Sequence, residues 1–501
     1  SDLFLLDSSS IEVTQTAAVP VNRVANDSST STGSSTDAIQ SDLMVTGALV
    51  LQTTAGSITV SEGDTDTGTL GISASGNILL LAGTTSNIKI DADVISTGGH
   101  ISLNASLDIL QNADIAAQTA GKTIDLLASR HITMAQTTSS TTTNNGDISL
   151  VATTGDITIE SIASGSQNVS VTATAGNIVD GDTAGDTEVD ITASALKLTA
   201  ATAGSGVGGI GGANNHLEIT VTTLSASAGT GGMFLTESDG LTVNSVSTTI
   251  QRVSAAAAAS AQTTSLSDLA TSSTSNGDIV LVSVNGTIVL SDGNGLVGTA
   301  VSANGTGDVL IDARGTGSDL TANVDILSGS GHVTLLAANT VTFAANADVR
   351  TGTTGTIDVE AGAGNISMNA TSLFTTGSGD IRMLAAQNAT VGDLSTTGNA
   401  SITATNGSFF KQKTAYDTSL NITASGLRMS AGTAIGAPTN HIETTVGTVS
   451  ARAANGGIYL RETDALIVGD VSVTISKVDS AAAVSTVTDA TQSDVMTTGG
   501  N

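Results

Sequence analysis

Few residues in this 501-residue chain could do chemistry, and most of them are carboxylates. Asp147, Asp156, Asp278, Asp308 and Asp380 each follow a glycine and precede an isoleucine or valine. Two such groups, suitably spaced, could act as acid and base on a glycosidic bond. These aspartates recur at regular intervals, however, whereas a catalytic pair occupies one place. Aspartate after glycine at a strand corner also suits local backbone hydrogen bonding. The expectation is therefore no catalytic residue and no enzyme. Two further runs, Asp180-Gly181-Asp182-Thr183-Ala184-Gly185-Asp186 and Asp64-Thr65-Asp66, offer hard oxygen ligands of the kind calcium takes. The Gly-Gly-x-Gly-x-Asp nonapeptide of calcium-binding rolls is absent. No metal ligand or cofactor is assigned, and Ca2+ is the one ion the sequence could serve. The five histidines are His100, His131, His216, His332 and His441. His100 corresponds to His332 and His216 to His441, each pair marking equivalent places in a long repeat. Such residues cannot converge on one zinc ion, which needs three or four ligands. They read as polar corner residues. With no cysteine, there is neither a disulfide framework nor a thiolate site.

The elements that position these groups are short strands. A Gly-x-Ile-x-Leu pattern appears at Gly76-Asn77-Ile78-Leu79-Leu80, Gly99-His100-Ile101-Ser102-Leu103, Gly146-Asp147-Ile148-Ser149-Leu150 and Gly355-Thr356-Ile357-Asp358-Val359, among others. Aliphatics two apart point to one face. The residue between them is expected to face water, and the glycine to make a tight corner through positive φ. Ile58, Ile78, Ile101, Ile124 and Ile148 mark successive steps, and Val309, Val333, Ile357 and Ile381 do the same at a constant interval. A second strand often follows within the coil, as from Ile148 to Ile157 and from Ile279 to Ile288. Coils of about 20–24 residues with two or three strands each predict an all-β, elongated parallel β-helix, a β-solenoid of the right-handed kind. Ile58, Ile78, Ile101, Ile148, Ile157, Ile288, Val333 and Ile381 are its expected buried ladder.

A longer repeat overlies the coils. Ser41-Asp42, Ser267-Asp268 and Ser493-Asp494 recur with a period of about 226 residues. Met233-Phe234-Leu235-Thr236-Glu237 likewise matches Ile458-Tyr459-Leu460-Arg461-Glu462. The chain divides accordingly into 1–45, the end of a preceding unit; 46–271 and 272–497, two full units; and 498–501, the start of another. Each unit would hold roughly ten coils and rise roughly 50 Å at the usual strand spacing. A Ser/Thr/Ala-rich stretch breaks the rhythm once per unit, at 26–40, 254–276 and 480–498. It reads as a flexible excursion or, less favoured, a lateral contact surface. The two ends fall at different phases of the unit without a recognisable cap, so a continuing array or head-to-tail stacking is expected.

Composition narrows the function. Aromatics make up 2% of the chain, too few for a large globular core. A formal charge of -30 disfavours nucleic acid and anionic membrane as partners. No apolar run is long enough to span a bilayer, and Ser1-Asp2-Leu3-Phe4 does not resemble a signal peptide, so any secretion signal would lie outside this chain. The Gly-Asp-Ile-x-Leu-x-Ala coils, and the run Asn440-His441-Ile442-Glu443-Thr444-Thr445-Val446 with Gly456-Gly457-Ile458-Tyr459-Leu460, resemble the β-helical repeats of filamentous-haemagglutinin-like and other giant bacterial surface proteins. The resemblance implies a non-catalytic structural or adhesive segment of an extracellular fibre or cell-surface layer. Its implied partners are other copies, head-to-tail or lateral, and surface glycans. A calcium-dependent carbohydrate- or surface-binding adhesin and a polysaccharide-acting β-helix enzyme are the alternatives.

Overall fold

The computed structural model describes residues 1–28, 34–63, 69–136, 140–183, 185, 187–201, 208–272, 276–293, 298–414 and 417–499. Among them there is no helix, and hence no helix long and apolar enough to cross a membrane. The chain forms two compact units, one of residues 1–174 with 248–264, the other of residues 175–247 with 265–501. Each is a parallel β-helix.

In the first unit three ladders run side by side. The first stacks Leu3–Asp7, Leu49–Thr53, Ile78–Ala82, Ile101–Ala105, Ile124–Ala128, Ile148–Ala152 and Asn168–Ala173. The second stacks Ile11–Val13, Ile58–Val60, Ile88–Ile90, Ile109–Gln111, Ile132–Met134 and Ile157–Ile159. The third includes Leu70–Ala74, Asp93–Ser96, Ile115–Ala117 and Thr141–Thr143. Parallel pairing needs a long crossover, and here one circuit of the coil supplies it. Ile101 lies on Ile78 and Ile124 on Ile101, as the spacing predicts. Ile58 does not step to Ile78. It belongs to the second ladder, between Ile11 and Ile88, while Ile78 lies on Leu49. Insertions lengthen those early coils, and the same sequence pattern serves both ladders.

The second unit repeats the plan. Its first ladder runs Met233–Glu237, Ile279–Ser283, Val309–Ala313, Val333–Ala337, Ile357–Ala361, Ile381–Ala385 and Asn399–Ala404. Later the third and first ladders merge: Ile422–Ala431 pairs with both and then lies along Ile442–Ala453. All eight predicted ladder residues are fully buried. Each such aliphatic contributes about 1.5–3 kcal/mol relative to exposure. The aromatic filling is sparse, with Phe343 edge-on to Phe374 at a centroid distance of 4.8 Å.

The motif glycines serve close approach, not positive φ. Among Gly76, Gly99, Gly146, Gly155, Gly277, Gly286, Gly331, Gly355 and Gly379 none has positive φ; of the glycines that open this pattern, Gly56 does, at 112°. A Cβ on Gly307, Gly331, Gly355 or Gly379 would strike the carbonyl oxygen of the motif glycine one coil before it. Glycine is therefore required where adjacent coils meet at the corner.

Where they are described, the Ser/Thr/Ala stretches form antiparallel strands in place of the expected excursion. Val246–Val253 and Ala259–Leu266 form a hairpin, as do Val471–Val478 and Val484–Gln492, and Val19–Asn22 pairs antiparallel with Ser34–Asp37. In the hairpins of 246–266 and 471–492 the first strand carries the apolar residues that pack inward, and the low-complexity second strand is the exposed partner. In the second unit, Val471, Val473, Ile475 and Val478 are buried while most of 484–491 is exposed.

Candidate functional site

The glycine-following aspartates and the histidines are spread along each unit, and most of them hold one coil to the next. In the second unit Asp278 Oδ1 accepts the Asp308 N–H at 2.8 Å, and Asp308 Oδ1 accepts the His332 N–H at 2.6 Å. His332 Nδ1 accepts the Thr356 N–H at 3.1 Å. In the first unit Asn77 Oδ1 accepts the His100 N–H at 2.8 Å, and His100 Nδ1 accepts the Thr123 N–H at 3.1 Å. His131 Nδ1 takes the Asp156 N–H at 3.0 Å, and Asp147 Oδ1 takes the Asn168 N–H at 3.0 Å. Burial pushes Asp278 and Asp308 above the usual carboxylate range and His100 below the usual imidazole value.

The same column anchors the hairpins. In the first unit Asp147 Oδ2 accepts the Thr249 N–H at 2.6 Å, Thr123 Oγ1 the Gln251 N–H at 2.9 Å, and Ser102 Oγ the Val253 N–H at 2.9 Å. The Arg252 guanidinium grips Asp125 through Nε at 2.6 Å and Nη2 at 3.1 Å. In the second unit Asp380 Oδ2 accepts the Thr474 N–H at 2.8 Å, Thr356 Oγ1 the Ser476 N–H at 3.1 Å, and Thr334 Oγ1 the Val478 N–H at 3.0 Å. The middle residues of the first ladder, expected to face water, are consequently buried: Ser102 and Asp125 in one unit, Thr334, Asp358, Arg382 and Ser401 in the other. Arg382 sits within a buried charge network, with Nη1 at 2.8 Å from Asp358 and 2.6 Å from Glu360, and Nε at 3.0 Å from Asp489 on the hairpin. Burial, then the Glu360 charge, raises Asp358 to about 6 against the pull of Arg382 and Lys477. An edge strand whose N–H groups are thus accepted is closed to further pairing.

One acidic cluster stands apart from this pattern. Asp180 closes the short strand Ile178–Asp180, and Asp190 precedes the long strand Ile191–Ala200. One carboxylate oxygen from each of Asp180, Asp182 and Asp190 lies within 4.8 Å of the others. Asp180 is 4% exposed and Asp190 2%. Asp190 Oδ2 accepts the Glu218 N–H at 2.7 Å. Its pKa is pushed up to about 9 by burial first, then by the charges of Asp180, Glu218 and Asp182. Glu218 also lines a surface depression of about 310 Å³ with Thr187, Val189, Thr236, Ser238 and Val284. Of the candidate calcium run, then, Asp180 and Asp182 come together, joined by Asp190, which the sequence reading missed. Ala184 and Asp186 lie outside the described residues, as do Asp64, Thr65 and Asp66.

The equivalent place in the next repeat is occupied differently. Asn215 Nδ2 reaches the carbonyls of Asp180 and Asp182 (both 3.5 Å), and Asn440 Nδ2 reaches those of Lys411 and Lys413 (3.4 and 3.3 Å). Asn421 Oδ1 accepts the Glu443 N–H at 3.3 Å, as Asp190 does that of Glu218. Lys411, Lys413, Asn421 and Glu443 thus stand where Asp180, Asp182, Asp190 and Glu218 stand. The Lys411 ammonium, fully buried, bonds Glu443 Oε2 and, at 2.7 Å, the Asp417 carbonyl. Lys413 Nζ bonds Asp393 Oδ1 at 2.6 Å and the Leu420 carbonyl at 3.0 Å. Comparison with protein-family models, curated proteins and solved structures gives no match.

Proposed function

We propose that this chain is a non-catalytic structural or adhesive segment of a bacterial extracellular fibre or cell-surface layer. The observation that carries the reading is where the polar groups go. Asp147, Asp278, Asp308 and Asp380 accept backbone N–H groups of the next coil, and Asp147 and Asp380 also those of a hairpin, so the residues best suited to chemistry are consumed in holding the stack together. A stack of stapled coils resists tension and proteolysis, and its strongly acidic surface keeps it soluble by self-repulsion. Other copies of the chain and surface glycans are the partners this role calls for. Electron microscopy of the native material, together with turnover assays on acidic and neutral polysaccharides, tests it. Filaments or a surface layer without turnover are expected. Turnover that disappears when one pair of carboxylates is removed would overturn it.

A further inference from the structure

We propose that Lys411 and Asn421 become joined by an intramolecular isopeptide bond, with Glu443 as the acid and base that forms it. Such a bond needs an amine, a carboxamide and a proton carrier, held together away from water. The structure gathers all three: Lys411 is 3% exposed, Asn421 1% and Glu443 3%. They come from separate elements. Lys411 ends the strand Phe409–Lys411, Asn421 immediately precedes Ile422–Ala431, and Glu443 lies near the start of Ile442–Ala453.

Glu443 touches both reactants. Its Oε2 accepts from the Lys411 ammonium, and its backbone N–H donates to Asn421 Oδ1 at 3.3 Å. The first contact puts a base on the nitrogen that must lose a proton before it can attack. The second puts a donor on the oxygen where negative charge develops. Asn421 Nδ2, the leaving nitrogen, donates to the Gly392 carbonyl at 3.3 Å, which fixes the plane of the amide. The Asn421 backbone is pinned as well: its N–H donates to the Glu443 carbonyl at 3.0 Å, and its carbonyl accepts the Leu394 N–H at 2.8 Å. In the step itself, Glu443 takes a proton from the ammonium and Nζ attacks Asn421 Cγ. The tetrahedral oxyanion rests on the Glu443 N–H. Glu443 gives its proton to Nδ2 and takes the second one from Nζ as the Cγ–Nδ2 bond breaks. One C–N bond replaces another, ammonia leaves, and no oxidant, reductant or cofactor is consumed.

Neighbouring groups show what the site has that they lack. Lys413 bonds Asp393 and the Leu420 carbonyl, an ion pair with no carboxamide in it. In the preceding repeat Asp180 and Asp190 stand at the places of Lys411 and Asn421, while Glu218 keeps the carboxylate. Amine and amide are thus missing there together, and one bond per chain follows. That bond closes a covalent ring from Lys411 to Asn421, which restricts the unfolded chain as a disulfide does. The inference stands apart from the fibre reading: a cross-linked coil could serve a chain of another role, and a fibre needs no cross-link.

The test is the mass of the full 501-residue chain, purified in its folded state and then denatured. The expected mass is that of the sequence less one ammonia, and a protease digest should contain a branched peptide joining Lys411 to Asn421. Trypsin cleavage after Lys413 should leave the two sides of the cut attached to each other. Lys411→Arg keeps the charge but not the nucleophile; it should restore the full mass and lower the melting temperature. Glu443→Gln keeps the backbone donor but not the base, and should slow bond formation by about 100-fold or more, read as the linked fraction soon after synthesis. Lys413→Arg should leave the bond intact. A parent chain of full sequence mass would overturn the proposal. So would an ammonia loss that persists in Lys411→Arg, the mark of an asparagine closing on its own backbone. A parent digest without the branched peptide decides against the bond even if Lys411→Arg fails to fold.

Discussion

Replacing Arg382 by alanine should release the hairpin Val471–Val478/Val484–Gln492 from the coils beneath it. The Arg382 side chain is 8% exposed and bonds Asp358, itself 0% exposed, together with Glu360 and the hairpin's Asp489. Removing one partner of a buried ion pair costs about 3–5 kcal/mol, mostly because the other charge is stranded. Here two routes soften the loss. Lys477 Nζ remains 3.9 Å from Asp358, and Asp358 can take a proton. A net cost of about 2–4 kcal/mol follows. Because each 1.4 kcal/mol is tenfold, amide exchange of Val473–Val478 should accelerate by roughly 30- to 700-fold if the loss falls on hairpin opening. The sign of the pH effect can be stated. With Asp358 raised from 3.8 to about 6, the folded state is favoured by protonation. That stability is full below pH 3.8 and is lost as pH rises through about 6. Without Arg382 the window extends upward, so acidifying from about pH 7 to about pH 5 should recover part of the variant's deficit relative to the parent. In an Asp358→Asn background the wholly buried charge is gone while Glu360 keeps Lys477 and Asp489 keeps Ser401, so Arg382→Ala should cost only about 1 kcal/mol, the value of ordinary hydrogen bonds. Equal losses in both backgrounds, or unchanged exchange of the hairpin amides, would refute the account.

Ile148→Asp places a charge in a wholly buried aliphatic ladder and should cost more than about 4 kcal/mol, read as loss of the cooperative melt. Gly379→Ala drives a Cβ into the Gly355 carbonyl and should destabilise by at least about 1–3 kcal/mol in a denaturant titration, with the neighbouring coils losing exchange protection first. Glu237 is fully buried and is raised from 4.5 to about 8, by burial and then by its contact with Asp239. Its neutral form stabilises the fold below pH 4.5 and that contribution is lost as pH rises towards about 8, so Glu237→Gln should gain about 3 kcal/mol relative to the parent at pH 7 and little at pH 4. A parent and variant with the same pH dependence would remove Glu237 from the explanation.

The ladders were legible because their information is local. An isoleucine two residues before a leucine, repeated once per coil, states both a face and a stacking partner, and Ile101 on Ile78 or Ile381 on Ile357 follows directly. What the pattern lacks is a ladder label. Ile58 carries the same signature as Ile78 yet belongs to the neighbouring ladder, because the insertions that separate them have no period. The hairpins were illegible for a related reason. Val478 and Ile475 alternate like any strand, but what they cover is Thr334, Thr356 and their neighbours, far earlier in the chain, and nothing in the local sequence names that target. The positions that looked solvent-facing, Ser102 and Asp358, are polar because hairpin donors and guanidinium groups end on them, not because water does.

The acidic cluster shows where a sequence with internal repeats holds more than its motifs. The aspartate run was visible, but Asp190 joins it only through the packing of its strand on Leu217–Ala228, and that required coordinates. The charge reversal needed none: Asp180, Asp182 and Asp190 align with Lys411, Lys413 and Asn421 at one constant offset. Repeats that keep their ladders while inverting the charge at one place must satisfy the same backbone by different means. An aliphatic column tolerates only size-matched change, so its conservation between copies reports packing. A buried polar position must instead be neutralised, and two copies that solve this with opposite charges reveal an electrostatic requirement that neither copy shows alone. In the copy with lysines the countercharge is covalent and fixed. In the copy with aspartates, burial and the neighbouring carboxylates instead favour the protonated form of Asp190.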